Sequence, residues 1–146
     1  MQGLGLAPKN FCIEITEGLL LNDDAAVFGK LEEFRSAGIA IAIDDFGTGY
    51  SALSYLTRLR VDYLKIDKSF VQKIEHNALD RSLCNGIVAI AHTLEMKVVA
   101  EGIETLTQLE LLNQMGCDFA QGYYFSRPVS APRIENILGL PLPLPG

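Results

Sequence analysis

Six charged or amide side chains stand at or near the ends of short apolar runs in this chain: Glu14, Asp44, Asp45, Lys65, Glu101 and Gln121. The fullest case is Ile39-Ala-Ile-Ala-Ile-Asp-Asp-Phe-Gly-Thr-Gly49, where a β-branched run meets two adjacent carboxylates and then a glycine-rich turn. Four carboxylates converging on one place repel one another. Hard divalent cations such as Mg²⁺, Mn²⁺ or Ca²⁺ relieve that repulsion through all-oxygen ligand sets. A lysine among them can orient or deprotonate a water held by the metal, or neutralise a developing charge. Neighbouring side chains on a regular strand face opposite ways. Asp44 and Asp45 therefore share one site only at a strand end, where a turn permitted by Gly47 and Gly49 redirects the second. Any one of these residues alone reads as an ordinary charged strand end. On five consecutive strands they read as a set, because core-facing charges are rare unless paired or metal-bound.

Alternating strands and helices must position them. The pattern predicts strands at Phe11–Thr16, Ile39–Asp44, Tyr63–Ile66, Lys97–Ala100 and Phe119–Tyr124. It predicts helices from about Asp23 to Ala37, capped by Asn22 or Asp23 and stopped by Gly38, and at Ser51–Leu59, Ala78–Leu94, Thr105–Met115 and Ala131–Leu138. The apolar stripe of the long helix is read as Leu79, Leu83, Ile87, Ile90, Ala91 and Leu94. The tail Pro141-Leu-Pro-Leu-Pro-Gly146 cannot continue a helix. This alternation implies an α/β fold with a parallel sheet and right-handed crossovers, whose carboxyl-end rim is where such folds place chemistry. A closed eight-stranded barrel takes about 250 residues. Five units fit either an open doubly wound sheet or the C-terminal part of such a barrel.

Composition narrows the function. The chain has 146 residues, 49% of them hydrophobic, enough for a real core. A net charge of −6 argues against binding nucleic-acid polymers through a basic surface. No apolar run approaches the ~20 residues of a membrane span, and the N-terminus lacks signal-peptide order. Cys12, Cys84 and Cys117 are scattered and read as reduced thiols packed as small apolar groups. His76 and His92 read as surface or satisfied histidines, and Tyr123, Tyr124 and Phe125 as packing residues. Together these features predict a cytoplasmic protein, or the cytoplasmic part of a larger one.

Five segments carry a resemblance: Glu14-Ile-Thr-Glu17, Asp44-Asp-Phe-Gly-Thr-Gly-Tyr-Ser51, Leu64-Lys-Ile-Asp-Lys-Ser-Phe-Val71, Val99-Ala-Glu-Gly-Ile-Glu104 and Gln121-Gly-Tyr-Tyr-Phe-Ser-Arg-Pro128. In this order the chain resembles the C-terminal portion of an EAL domain, the bacterial phosphodiesterase family that hydrolyses cyclic di-GMP. The resemblance implies a TIM-type (β/α)8 barrel with about five of its eight strands present, over residues 1–140, followed by a Pro-rich tail at 141–146. It implies that Glu14, Asp44 and Glu101 are ligands of a first Mg²⁺ or Mn²⁺ and Asp45 a ligand of a second. Lys65 matches the residue that holds the attacking water and takes its proton, and Gln121 a polar group beside that water. Glu17 matches the carboxylate that anchors the loop Phe46–Ser51, which in the family also helps form the dimer contact. Glu104 matches a supporting residue, and Arg127 could reach a substrate phosphate. The implied reaction is in-line attack of water on one phosphodiester, giving linear pGpG, with two ions roughly 3.5–4 Å apart. A homodimer or swapped oligomer, and upstream sensor or GGDEF domains, are the implied partners.

The chain also departs from the family. No Glu-Ala-Leu occurs in it, and Arg60 stands where proline is usual before Val61-Asp62. The missing motif leaves a second reading, a non-catalytic EAL-derived module that binds nucleotide or protein. Asp45-Phe46-Gly47 also matches a kinase metal-binding triplet, but the other kinase motifs are absent. The acidic pair fits a phosphoacceptor receiver poorly, because the third strand carries Lys65 and Asp67.

Overall fold

Five apolar runs lie side by side as one parallel sheet: β1 (Cys12–Thr16), β2 (Ala40–Phe46), β3 (Tyr63–Ile66), β4 (Lys97–Ala100) and β5 (Phe119–Ala120). The structure is a computed structural model and describes residues 6–20, 24–47, 56–130 and 133–134. Spatial order follows chain order, β1-β2-β3-β4-β5. A doubly wound sheet reverses its order at a switch point. Here every strand adds to the same side of the last, as in the wall of a barrel.

Among the described residues, the α-helices lying between the strands are α1 (Glu17–Leu20), α2 (Ala25–Ser36), α3 (Lys68–Val71), α4 (Ala78–Thr93) and α5 (Leu106–Gln114). Side chains fix where they start. Asp24, Asp67 and Asn77 accept from the N–H groups of Ala26, Ser69 and Leu79 at 2.8–2.9 Å, and Thr105 accepts from that of Gln108 at 3.1 Å. The cap of α2 is therefore Asp24, not Asp23 or Asn22, which lie outside the described residues. The short helices α1 and α3 were not expected. The helix expected at Ser51–Leu59 lies largely outside the described residues, as do most of that expected at Ala131–Leu138 and the Pro-rich tail.

Alternation divides the sheet. Ile41, Ile43, Leu64, Ile66, Val98 and Ala100 point to one face and are at most 1% exposed beneath the helices. The register places Glu14 beside Ala42, Tyr63 beside Lys97 and Lys65 beside Val99 on the other face. That inner face is half open: Cys12 and Phe119 are exposed there, whereas parallel sheets normally have both faces covered. Packing as a small apolar group thus holds for Cys84, but not for Cys12. Burial pushes the thiols of Cys84 and Cys117 up to about 11.

Two carboxylates secure the amino-terminal ends of the strands. Asp62 accepts from the Ile41 N–H at 2.9 Å, and Asp118 from the Val98 N–H at 2.8 Å. Asp118 also lies 2.9 Å from His92 Nε2, so His92 is a satisfied histidine.

Two elements differ from the sequence reading. The buried side of α4 comprises Asp80, Cys84, Ile87, Val88 and Ala91, while Leu79 and Leu83 are 67% and 43% exposed. Arg81 donates to the carbonyls of Ile74 and Glu75, which sets the rotation of the first turn one residue away from the leucines. Strand β5 ends at Ala120 rather than Tyr124. The Gln121 N–H still donates to the Ala100 carbonyl, but the chain then wraps the Ile103 peptide. Ile103 N–H donates to the Gln121 carbonyl at 3.1 Å, and Tyr124 N–H to the Ile103 carbonyl at 2.9 Å. Gly122 permits this approach, since a Cβ there would land inside the Ile103 backbone. Gly122→Ala is expected to cost more than ~2 kcal/mol, read as a lower midpoint in urea unfolding.

Candidate active site

The carboxyl ends of β1, β2, β3 and the loop after β4 meet around one ammonium group. Lys65 Nζ lies 2.8 Å from Glu14 Oε1, 2.9 Å from Asp44 Oδ1 and 2.8 Å from Glu101 Oε1. Its side chain is 8% exposed, against 52% for Glu14, 25% for Asp44 and 19% for Glu101. Burial alone would lower the lysine pKa. Hydrogen bonds to Glu101, Glu14 and Asp44 more than offset it, so the group is held above the ordinary lysine value, as an ammonium.

Asp45 reaches the same place by a backbone irregularity. The β2–β3 register shifts between Ile43 and Phe46, and Asp45 adopts a left-handed φ of +54°. The reorientation expected at the glycines begins at Asp45 itself, and β2 continues past the pair to Phe46. The bulge breaks the strict alternation of side chains, and one oxygen each from Asp44, Asp45 and Glu101 lie within 4.8 Å of one another. Burial, then the charges of Asp44 and Asp67 and a hydrogen bond with Asp67, raise the Asp45 pKa. Burial would also raise Asp67, but bonds from Ser69 and Asp45 hold it below the usual carboxylate range. Gly47 follows at φ +96°, and its N–H donates to the buried Glu17 at 3.2 Å.

The other predicted residues lie further out. Gln121 is exposed but shares with Glu14, Lys65, Ala42, Tyr63 and Cys12 a cavity of about 370 Å³ on the open inner face. Arg127 lies over the Tyr123 ring at 4.6 Å, in a separate groove that Gln121 also borders. Glu104 is exposed and is held through its backbone N–H, which donates to Gln108 Oε1 at 2.8 Å. Sequence reasoning names Asp67 only as a third-strand acid, and gives neither it nor Gln108 a place at the site. Their signals were a capping Asp-x-Ser directly after the lysine strand and a Thr-x-x-Gln capping box after Glu104.

The donor set suits a hard divalent cation: three carboxylates within reach of one another, a fourth held by the same lysine, and all donors oxygen. Residues 3–128 match the EAL domain family. The chain belongs to that family. EAL domains are barrels of the TIM type, and the five strands are consecutive staves of that wall.

This EAL chain is 42% identical over 129 residues to the bifunctional diguanylate cyclase/cyclic di-GMP phosphodiesterase MucR of Pseudomonas aeruginosa, covering 88% of this chain and 19% of that protein. It is 42% identical over 138 residues to the cyclic di-GMP phosphodiesterase NbdA of the same species, covering 94% and 18%. The chain thus spans under a fifth of the length of these two relatives. It superposes on a PaMucR phosphodiesterase–c-di-GMP complex with a TM-score of 0.84 at 42% identity, covering 88% of this chain and 52% of that one. For a manganese and c-di-GMP complex of Klebsiella pneumoniae BlrP1 the TM-score is 0.79 at 39% identity, covering 85% and 32%.

Removing the central cation leaves three carboxylates facing one another. Lys65→Met is expected to destabilise the metal-free protein by ~2–4 kcal/mol. Millimolar Mn²⁺ should restore part of the loss, as followed by thermal melting with and without EDTA.

Proposed function

We propose that this chain supplies most of the active site of a cyclic di-GMP phosphodiesterase that yields linear pGpG. The observation that carries this reading is the convergence of Glu14, Asp44 and Glu101 on Lys65, with Asp45 turned into the same cluster. Glu14, Asp44 and Glu101 would hold one divalent ion and Asp45 a second, Mg²⁺ or Mn²⁺. When bound, such ions supply Lewis-acid stabilisation to the attacking and leaving oxygens.

The chain's own residues do the rest. Lys65 donates hydrogen bonds toward the water that attacks phosphorus and offsets the charge that develops there. Gln121 orients that water from the β5 side. As the water oxygen bonds to phosphorus, the water gives a proton to a carboxylate of the cluster. Lys65 is already an ammonium, so it does not take that proton, contrary to the expectation from sequence. One P–O ester bond breaks and the leaving oxygen takes up a proton from solvent, so that one water is added across the bond. Glu17 holds the Gly47 N–H and so fixes the turn that aims Asp45. Glu104 supports the loop that carries Glu101. Arg127 meets a substrate phosphate.

The reading places residues 1–140 as the C-terminal portion of an EAL domain in a cytoplasmic setting, within a longer signalling protein that carries sensor or GGDEF domains. Among the described residues, no helix is long and apolar enough to cross a membrane. In a protein with the complete barrel, Glu101→Gln or Asp44→Asn is expected to cut pGpG formation at least ~100-fold, measured by chromatography of c-di-GMP digests. Unchanged turnover in both variants would sink the assignment.

The open inner face and the absence of Glu-Ala-Leu favour a second reading for this chain by itself, a binding module with weak or no turnover. Among the described residues no strand pairs with the outer edge of β1 or β5, and these edges and the exposed inner face favour self-association. The isolated chain is expected to run as a dimer or larger species in light scattering and to form little pGpG. A monodisperse monomer would count against this association.

A further inference from the structure

The loop between β4 and α5, residues 101–105, carries both Glu101 and Glu104, and it is tied down at several points. Gly102, at φ +72°, lies against Lys68 of α3 with no room for a side chain. Ile103 is fully buried and exchanges backbone hydrogen bonds with Gln121 and Tyr124. Gln108, 5% exposed, turns its carbonyl back to accept from the N–H groups of both Glu104 and Thr105, at 2.8 and 3.2 Å. The Thr105 hydroxyl accepts from the Gln108 N–H at 3.1 Å.

The same hydroxyl makes one more bond. It donates to the carboxylate of Glu75, which is 30 positions away in the loop between α3 and α4. The capping box of α5 is complete with Thr105 and Gln108 alone, so Glu75 satisfies none of that helix's orphan N–H groups. Its bond joins two catalytic-side loops. One follows the strand that delivers Lys65, and the other follows the strand that delivers Glu101. The Glu75 side chain is 18% exposed, so water competes poorly for the bond.

We propose that Thr105, clamped between Gln108 and Glu75, is a positioning residue for the site, and that Glu75 is the remote anchor that sets where Glu101 and Glu104 stand. The inference rests on the reading of Glu101 as a metal ligand. Partners behind a metal ligand typically change metal affinity by 10–100-fold when removed.

The test is a Mn²⁺ titration of the full chain, following free Mn²⁺ by electron paramagnetic resonance, beside melting curves in EDTA. Thr105→Val and Glu75→Ala are expected to weaken Mn²⁺ binding by ~10–100-fold. Thr105→Ser keeps the hydroxyl and Glu75→Gln keeps an acceptor oxygen, so both should stay near wild type. Should Thr105→Val fail to fold, the Glu75→Ala and Glu75→Gln comparison still tests the anchor, because Glu75 lies in a loop and caps no helix. Wild-type affinity in Glu75→Ala, or a lower melting temperature with no change in Mn²⁺ affinity, would overturn the positioning role while leaving the metal site standing. A wild-type chain that binds no Mn²⁺ would remove the metal reading and this inference with it.

Discussion

A buried ammonium ringed by carboxylates is the constraint on which this structure turns. Burying a lysine is costly unless opposite charge accompanies it, and bringing Glu14, Asp44 and Glu101 to one place is costly unless positive charge separates them. Each group makes the other tolerable, with all three contacts at 2.8–2.9 Å. The parallel register supplies the geometry. Glu14 is level with Ala42, two residues before Asp44, and Lys65 is level with Val99, two residues before Glu101. The long lysine side chain thus spans the step between carboxylates that the register sets at different heights.

Around that centre the structure departs from regularity in ways that serve aim rather than stability. Asp45 takes a left-handed backbone conformation that a regular strand would not use, and the bulge beside it brings a second adjacent carboxylate into the cluster. Glu17 holds the glycine that follows. The early end of β5 has the same character. The chain gives up ladder bonds to wrap the Ile103 peptide, and that wrapping keeps Gln121 beside the cavity it shares with Glu14 and Lys65.

Local patterns in the sequence expose the sheet well. Tyr63–Ile66 and Lys97–Ala100 are bounded as observed, because short, largely apolar runs between polar flanks leave little choice. The meeting of Glu14, Asp44, Lys65 and Glu101 is likewise legible, since each stands in or just after the carboxyl-terminal half of an apolar run. Tertiary contacts decide what is not legible. The rotation of α4 depends on Arg81 reaching the Ile74 and Glu75 carbonyls, which no helical periodicity encodes. The length of β5 depends on a peptide in another loop. Asp67 looks like an ordinary helix cap until its bond to Asp45 places it against the cluster. The anchoring of Thr105 by Glu75 joins residues too far apart for any local pattern.

Asp62 and Asp118 sit at the opposite ends of the strands from the cluster, each closing a backbone N–H of a neighbouring strand. The carboxylates that stitch the sheet are therefore different residues from those that face the reactive mouth. A change at Asp62 or Asp118 loosens strand pairing with the whole cluster still present, whereas a change at Glu14, Asp44 or Glu101 leaves those pairings alone and uncovers the lysine. Damage at the two ends of the same strands is thus distinguishable, the one kind reading out as lost register and the other as an unbalanced buried charge.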